Sequence, residues 1–209
     1  MAIKLFITGT DTDVGKTFIS ALLCKRWSAG YWKPIQTGLE SDPGDTKTVS
    51  DLLGSSLVTS TPALEYQKPL SPWRAVELEN REAIDIKKIS VPKELEQNKE
   101  VLIIEGAGGV FVPITESLIT TDLIQHFDCP VIVVARSELG TLNHTLLTIE
   151  HLKNRGVKVI GVVLNGDLNN DNSRTLEAFG VKILFQIPRA STLDEVEHLV
   201  PDLKDVYKI

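Results

Sequence analysis

The sequence predicts an α/β fold, a doubly wound and mostly parallel sheet with helices on both faces. Three observations predict it. Short apolar runs rich in Val and Ile alternate with longer stretches of helical periodicity. Those runs are apolar on successive residues, as in strands covered on both sides. The first run also leads into a Gly-Lys-Thr tripeptide, Gly15 to Thr17, at which a helical pattern begins.

The elements follow in order. "IKLFIT" (3–8) reads as the first strand, and a helix starts at about Lys16 with Ile19, Leu22, Leu23 and Trp27 on one face and Gly30 as its stop. "YWKPI" (31–35) is a second strand, weakened by Pro34. Shorter helices are expected around 45–54 and 71–79, and "VLIIE" (101–105) is a buried strand. Thr121 or Asp122 is placed to cap a helix running to about Phe127. "PVIVVA" (130–135) is the next strand. Leu142, Leu146, Ile149 and Leu152 form a stripe closed by Gly156, before the strands "VKVIGVVLN" (157–165) and "VKILFQI" (181–187). No repeat, low-complexity tract or linker interrupts the 209 residues, so one domain over 1–209 is expected.

Composition narrows the function classes. Hydrophobic residues make up 42% and charged residues 24%, an ordinary globular balance. With 22 basic against 28 acidic residues the net charge is −6, which argues against nucleic acid or an anionic membrane as the main partner. Two cysteines, Cys24 and Cys129, read as small core residues in a reducing compartment. With no signal-peptide pattern and no membrane-length apolar run, a cytoplasmic location is expected.

In a doubly wound sheet, ligands bind beyond the carboxyl ends of the strands. The first such end is "GTDTDVGKT", Gly9 to Thr17. It departs from the usual phosphate-loop spacing, because Thr10 stands where the first glycine is expected and two aspartates lie in the loop. Its context is still that of a phosphate loop, a strand before and a helix N-terminus after, which makes the fold P-loop NTPase-like. Lys16 is placed to reach terminal phosphates and Thr17 to ligate Mg2+. Glu105 ends a strand ahead of Gly106, Ala107, Gly108 and Gly109. Such a turn is common, but beside a phosphate loop the carboxylate becomes a candidate metal ligand. Lys33 is either a solvated edge lysine or a site residue, and Asp45 either a helix cap or a ligand. Asn165 and Pro188 end strands, where turn chemistry competes with contacts to a purine edge. His126, His144, His151 and His198 have no second ligand at zinc spacing, and no nucleophilic serine or cysteine motif occurs, which leaves phosphoryl transfer.

Together these residues resemble dethiobiotin synthetases. "GTDTDVGKT" meets that family's Gly-Thr-x-Thr-x-Val-Gly-Lys-Thr loop at each fixed position, "KPIQTG" its Lys-Pro-x-x-Ser/Thr-Gly segment, and "EGAGGVFVPI" its Glu-Gly-Ala-Gly-Gly segment. "LSPWRAVELENREAID", "ELGTLNHTLLT" and "GVVLNGD" align in order, so the similarity spans nearly the whole chain. Trp73 stands where many members carry histidine, and the stretch before Lys33 is a few residues short.

The resemblance implies an ATP- and Mg2+-dependent ligase of biotin synthesis. It would join 7,8-diaminopelargonic acid and CO2 through a carbamate and a carbamic-phosphoric anhydride. It assigns Lys16, Lys33, Thr12 and Asp13 to catalysis, and Asp13, Val14, Gly15, Lys16, Thr17, Glu105, Gly108, Asn165 and Pro188 to the nucleotide. Mg2+ falls to Thr17, Asp45 and Glu105. The substrate falls to Thr12, Lys33 and Thr37, with its carboxylate at the helix N-terminus formed by Gly140, Thr141, Leu142 and Asn143, across a homodimer interface. The alternative is an ATPase switch of the partition or cell-division type. That type carries a signature lysine where Asp11 stands and two glycines where Thr12 and Asp13 stand. A cobalamin-type amidotransferase would need a glutaminase domain that this length does not hold.

Overall fold

The computed structural model describes residues 2–207. In chain order the elements are β1 (Ile3–Gly9), α1 (Lys16–Trp27), β2 (Gly30–Trp32), β3 (Ile35–Gln36), α2 (Asp45–Leu53), β4 (Leu64–Glu65), α3 (Pro72–Leu78) and α4 (Lys93–Asn98). There follow β5 (Val101–Gly109), α5 (Thr120–Phe127), β6 (Val131–Arg136), α6 (Thr141–Asn154), β7 (Val159–Asn165), α7 (Asn170–Ala178), β8 (Ile183–Ile187) and α8 (Leu203–Val206). Six strands form one parallel sheet in the order β2-β5-β1-β6-β7-β8, and β3 pairs with β4 apart from it. From β1 the chain passes to the edge strand β2, returns to β5 between them, then crosses to β6 on the other side of β1. The switch point therefore lies at β1, where a crevice opens beyond the strand ends.

Period-two alternation divides the core. Phe6, Leu102, Ile104, Val131, Val133, Val162 and Leu164 pack under α3, α5, α6 and α7. Leu5, Ile7, Tyr31, Ile103, Ile132, Val134 and Val163 face α1 and the C-terminal segment around Leu193, Val196 and Val200. Each fully buried Leu, Ile or Val on these faces contributes roughly 1.5–3 kcal/mol of transfer free energy. Cys24 and Cys129 are buried free thiols, and burial pushes Cys129 up to about 11, in keeping with inert packing roles.

Several strand and helix ends shift by a few residues from expectation, β5 running on through the expected glycine turn to Gly109, and three further boundaries differ in kind. Ser28, not Gly30, takes the left-handed position that ends α1, and Gly30 opens β2. "YWKPI" is not one strand. Pro34 has no N–H for a ladder, and the chain leaves the large sheet there to enter the small one at Ile35. Its carbonyl accepts from the N–H groups of Ala63 and Leu64. Finally, α5 begins at Thr120, ahead of both expected caps. Asp122 lies inside the first turn, its carboxylate accepting the Ile119 N–H at 2.7 Å, while the Thr121 hydroxyl donates to Val110 O at 3.0 Å. Among the described residues no helix is long and apolar enough to cross a membrane.

Candidate active site at the switch point

The loop between β1 and α1 sits at the switch point. Its bend requires φ 55° at Asp13 and φ 91° at Gly15. A side chain at Gly15 would meet the Asn165 amide, so glycine is required there for conformation and for space. That amide donates to Val14 O at 3.0 Å and pins the loop to the end of β7. On the other flank, Arg136 at the end of β6 donates to Asp11 Oδ2 at 3.2 Å and Thr12 O at 3.0 Å. Lys16 is buried and its Nζ donates to Asp11 O at 3.1 Å.

A charged cluster lies beside α1. Glu105 ends the hydrophobic part of β5 at 1% exposure, and Lys33 follows β2 at 3%. Lys33 Nζ donates to Glu105 Oε1 at 3.2 Å and Gly106 O at 3.0 Å, and forms an ion pair with Asp45 Oδ2. An ammonium has three N–H groups, so all three are engaged. The Thr17 hydroxyl lies 2.9 Å from Asp45 Oδ1 and 3.0 Å from Glu105 Oε1. Tyr31 OH donates to Glu105 Oε2 at 3.0 Å. Asp45 is therefore the first residue of α2 with its carboxylate turned into the cluster. Gly44 takes the cap position, and Gln36 Oε1 accepts the Asp45 N–H at 2.9 Å.

The electrostatics follow from burial and pairing. Burial pulls the Lys33 ammonium down, but the Glu105 and Asp45 carboxylates outweigh it and hold its pKa above the ordinary lysine value. For Lys16, burial and the neighbouring Lys33 charge win, and its pKa is lowered. Burial raises Asp45, yet Lys33 overrides it and leaves that carboxyl below the usual range. Tyr31 is held well above its ordinary value, first by burial and then by the negative charges of Glu105 and Asp45, so its phenol stays a proton donor.

Two cavities flank the loop. The larger, about 830 Å³, is lined by Thr12, Asp13, Gly15, Lys16, Thr17, Lys33, Thr37, Asp45, Glu105 and Gly108 among others. The smaller, about 520 Å³, holds Asp13, Val14, Asn165 and Pro188 together with Arg136, Glu138 and Arg189. The structure thus brings together every sequence-predicted site residue except one group. Gly140, Thr141, Leu142 and Asn143 line neither cavity. They open α6 from Gly140 at φ 93°, and the Thr141 hydroxyl is spent on Arg136 O at 2.5 Å. Trp73 lines neither cavity, although its neighbours Ser71 and Pro72 line the larger.

Sequence reasoning missed Tyr31, Gln36, Arg136 and Arg189. Arg136 carried a usable signal, being a lone cation at the carboxyl end of a buried strand. Tyr31 carried none, because its hydroxyl matters only through its contact with Glu105.

Oxygen donors fit a hard divalent cation. Thr17, Asp45 and Glu105 offer one hydroxyl and two carboxylates around a shared point where the Lys33 ammonium now supplies the positive charge. Among the described residues no group of three His, Cys, Asp or Glu forms a self-sufficient metal cage. Such a set suits a metal completed by water and phosphate oxygens.

Comparison with known proteins follows the same lines. A family model described as an AAA domain matches residues 4–197. The ATP-dependent dethiobiotin synthetase BioD of Paramagnetospirillum magneticum is 44% identical over 88% of this chain and 86% of its own length. That of Lawsonia intracellularis is 43% identical over 91% and 90%. The biotin biosynthesis bifunctional protein BioCD of Bordetella avium is 45% identical, and this chain spans only 40% of its length. Among solved structures, the cell division ATPase MinD of Pyrococcus furiosus overlays with a TM-score of 0.57 at 17% identity, covering 100% of this chain and 93% of that one. The Pyrococcus horikoshii septum site-determining protein MinD, complexed with Mg-ADP, overlays at 0.56 and 15%, covering 96% and 87%. These two share the fold.

Proposed function

Because this chain belongs to the dethiobiotin synthetase family, we propose that its switch-point cavities carry out the ATP- and Mg2+-dependent closure of 7,8-diaminopelargonic acid with CO2 to dethiobiotin. It is an ATP-dependent ligase of biotin synthesis, acting as one domain over residues 1–209. The observation that carries the residue assignment is the convergence of Lys33, Asp45, Glu105 and Thr17 beside the N-terminus of α1.

The chemistry begins with a carbamate on one amine of the diamine. A carbamate oxygen attacks the γ-phosphorus of ATP, the bond to the β-phosphate oxygen breaks, and ADP leaves. The second amine then attacks the carbamoyl carbon, loses a proton, and expels inorganic phosphate as the ring closes. The first step brings two anions together, so the site must supply positive charge. Lys16 and Lys33 line the same cavity, close enough for their charges to interact. Thr17, Asp45 and Glu105 would hold Mg2+, which neutralises phosphate charge when bound. Lys33, whose N–H groups are held by Glu105, Gly106 and Asp45 in this structure, is the donor assigned to the carbamate.

Thr12 and Thr37 line the larger cavity as polar contacts for the diamine and carbamate, and Asp13, exposed at the boundary of the two cavities, offers a carboxylate to an ammonium. Gly108 allows backbone to approach the phosphates. Asn165 and the Pro188 carbonyl are assigned to the adenine edge in the smaller cavity. Gly140, Thr141, Leu142 and Asn143 take the substrate carboxylate from a second subunit. In one chain they line neither cavity, and the backbone N–H groups that open α6 are the donors this assignment uses. A cytoplasmic location belongs to the same reading.

The switch-type alternative has only the shared fold in its favour. Asp11 stands at the position of the signature lysine and is tied to Arg136. Phosphate release from ATP tests the two. Strict dependence on diamine and bicarbonate together is expected; turnover indifferent to both but raised by DNA, membranes or a protein would overturn the synthetase reading. Asp13→Asn should raise the KM for the diamine about tenfold with little change for ATP, the loss of one charge-assisted contact. Equal loss for both would remove that role.

A further inference from the structure

Glu105 divides its two carboxylate oxygens between two kinds of partner. Oε1 meets Thr17 at 3.0 Å and Lys33 at 3.2 Å, on the side of the proposed metal and phosphates. Oε2 meets Tyr31 OH at 3.0 Å on the protein side. The sheet register produces this division. Tyr31 pairs with Ile103, and Glu105 lies two residues further along β5, on the same face. A tyrosine ring spans that step and an aliphatic side chain does not. The ring is fully buried, and its backbone is held by Tyr31 N donating to Val58 O at 3.0 Å and Thr59 Oγ1 donating to Tyr31 O at 2.9 Å. The phenol is thus a fixed donor to Oε2, the oxygen that the Thr17 and Lys33 contacts do not use.

We infer that Tyr31 is a positioning residue, whose hydroxyl holds Glu105 so that Oε1 alone faces the metal, Thr17 and Lys33. It acts through Glu105 and touches no substrate. The inference rests on the assignment of Glu105 as a metal ligand, and outer partners of ligating carboxylates set metal affinity by about 10–100-fold.

Tyr31→Phe keeps the ring and removes the hydroxyl. The test is Mn2+ binding to the full chain in the presence of ADP, read by electron paramagnetic resonance. A 10–100-fold weaker Mn2+ affinity is expected, with metal-free ADP binding unchanged. Should the phenylalanine variant fail to fold, fluorotyrosines of increasing acidity at position 31 keep both ring and hydroxyl. Mn2+ affinity should then change stepwise with phenol acidity, which a packing role would not produce. Mn2+ affinity within twofold of wild type in folded Tyr31→Phe, or no trend across the fluorotyrosines, overturns the proposal for Tyr31 alone. A wild-type chain that takes up no Mn2+ with ADP overturns the metal assignment of Glu105 and this proposal with it.

Discussion

The two sides of the phosphate loop are built on opposite electrostatic terms. On the larger-cavity side the central pair is desolvated: the Lys33 and Glu105 side chains are 4% and 0% exposed. On the smaller-cavity side they stand in water: Arg136 and Asp11 are 43% and 49% exposed, Arg189 and Glu138 69% and 53%. A buried pair holds its geometry because breaking it strands a charge, whereas an exposed pair is screened and contributes about 0–1 kcal/mol. On the proposed assignments the two sides divide the work. Phosphoryl transfer needs charge fixed before the substrate arrives, which the buried side would supply. A purine needs shape and a few neutral contacts, which the assignment gives to Asn165 and Pro188.

The largest expected effect comes from removing the buried cation. Lys33→Ala leaves the Glu105 and Asp45 carboxylates facing each other, which should destabilise the metal-free chain by about 3–5 kcal/mol. Ring closure should fall about 10³-fold or more. Thermal denaturation with and without Mg2+ and ADP checks the first part. The loss should shrink when the metal is present. A Lys33→Ala chain with near-normal turnover would remove the residue from the mechanism.

A smaller effect is expected at the pin between the sides. Asn165→Ala leaves Val14 O without its donor and should weaken ATP binding by about 1–2 kcal/mol, near tenfold in KM. An unchanged KM for ATP would show that the pin matters only to the fold.

Titration offers a third test. Asp45 has a lowered folded pKa, so its stabilisation is present above the unfolded value of about 3.9 and is lost as pH falls through the folded one. Lys33 has a raised folded pKa, so its stabilisation is present below about 10.4 and is lost as pH rises through the folded one. The pair should hold the melting temperature level between these limits, and Lys33→Met should abolish the alkaline shoulder. A shoulder that persists in Lys33→Met would assign it to other groups.

The smallest effect belongs to the open side. Arg189→Ala should change stability by no more than about 0.5 kcal/mol and the KM for ATP by less than threefold. A larger change would give the exposed pairs a role that the comparison denies them.

The sequence was most legible where one residue type has one physical use. The parallel sheet followed from continuous apolar runs, and the loop from Gly-Lys-Thr at a strand end. Lys33 and Asp45 were ambiguous, since an edge lysine and a helix-opening aspartate have ordinary uses. The structure buries Lys33 and pairs it with Asp45, a contact that periodicity does not encode. Gly30 misled as a helix stop because Ser28 took the left-handed position at the expense of some strain. Tyr31 was hidden because strand register, not local sequence, sets it against Glu105. Gly140 to Asn143 stay apart from the cavities in one chain, a placement that no intrachain reasoning supplies.

On the proposed function, the buried side couples ATP cleavage to carbon incorporation. A single turnover with ¹³C-bicarbonate, diaminopelargonate and ATP, followed by carbon NMR and ADP quantitation, tests it most directly. The wild-type chain should give one labelled ring carbonyl for each ADP, and Lys33→Ala neither. ADP formed without labelled carbonyl in the wild-type chain would contradict the account.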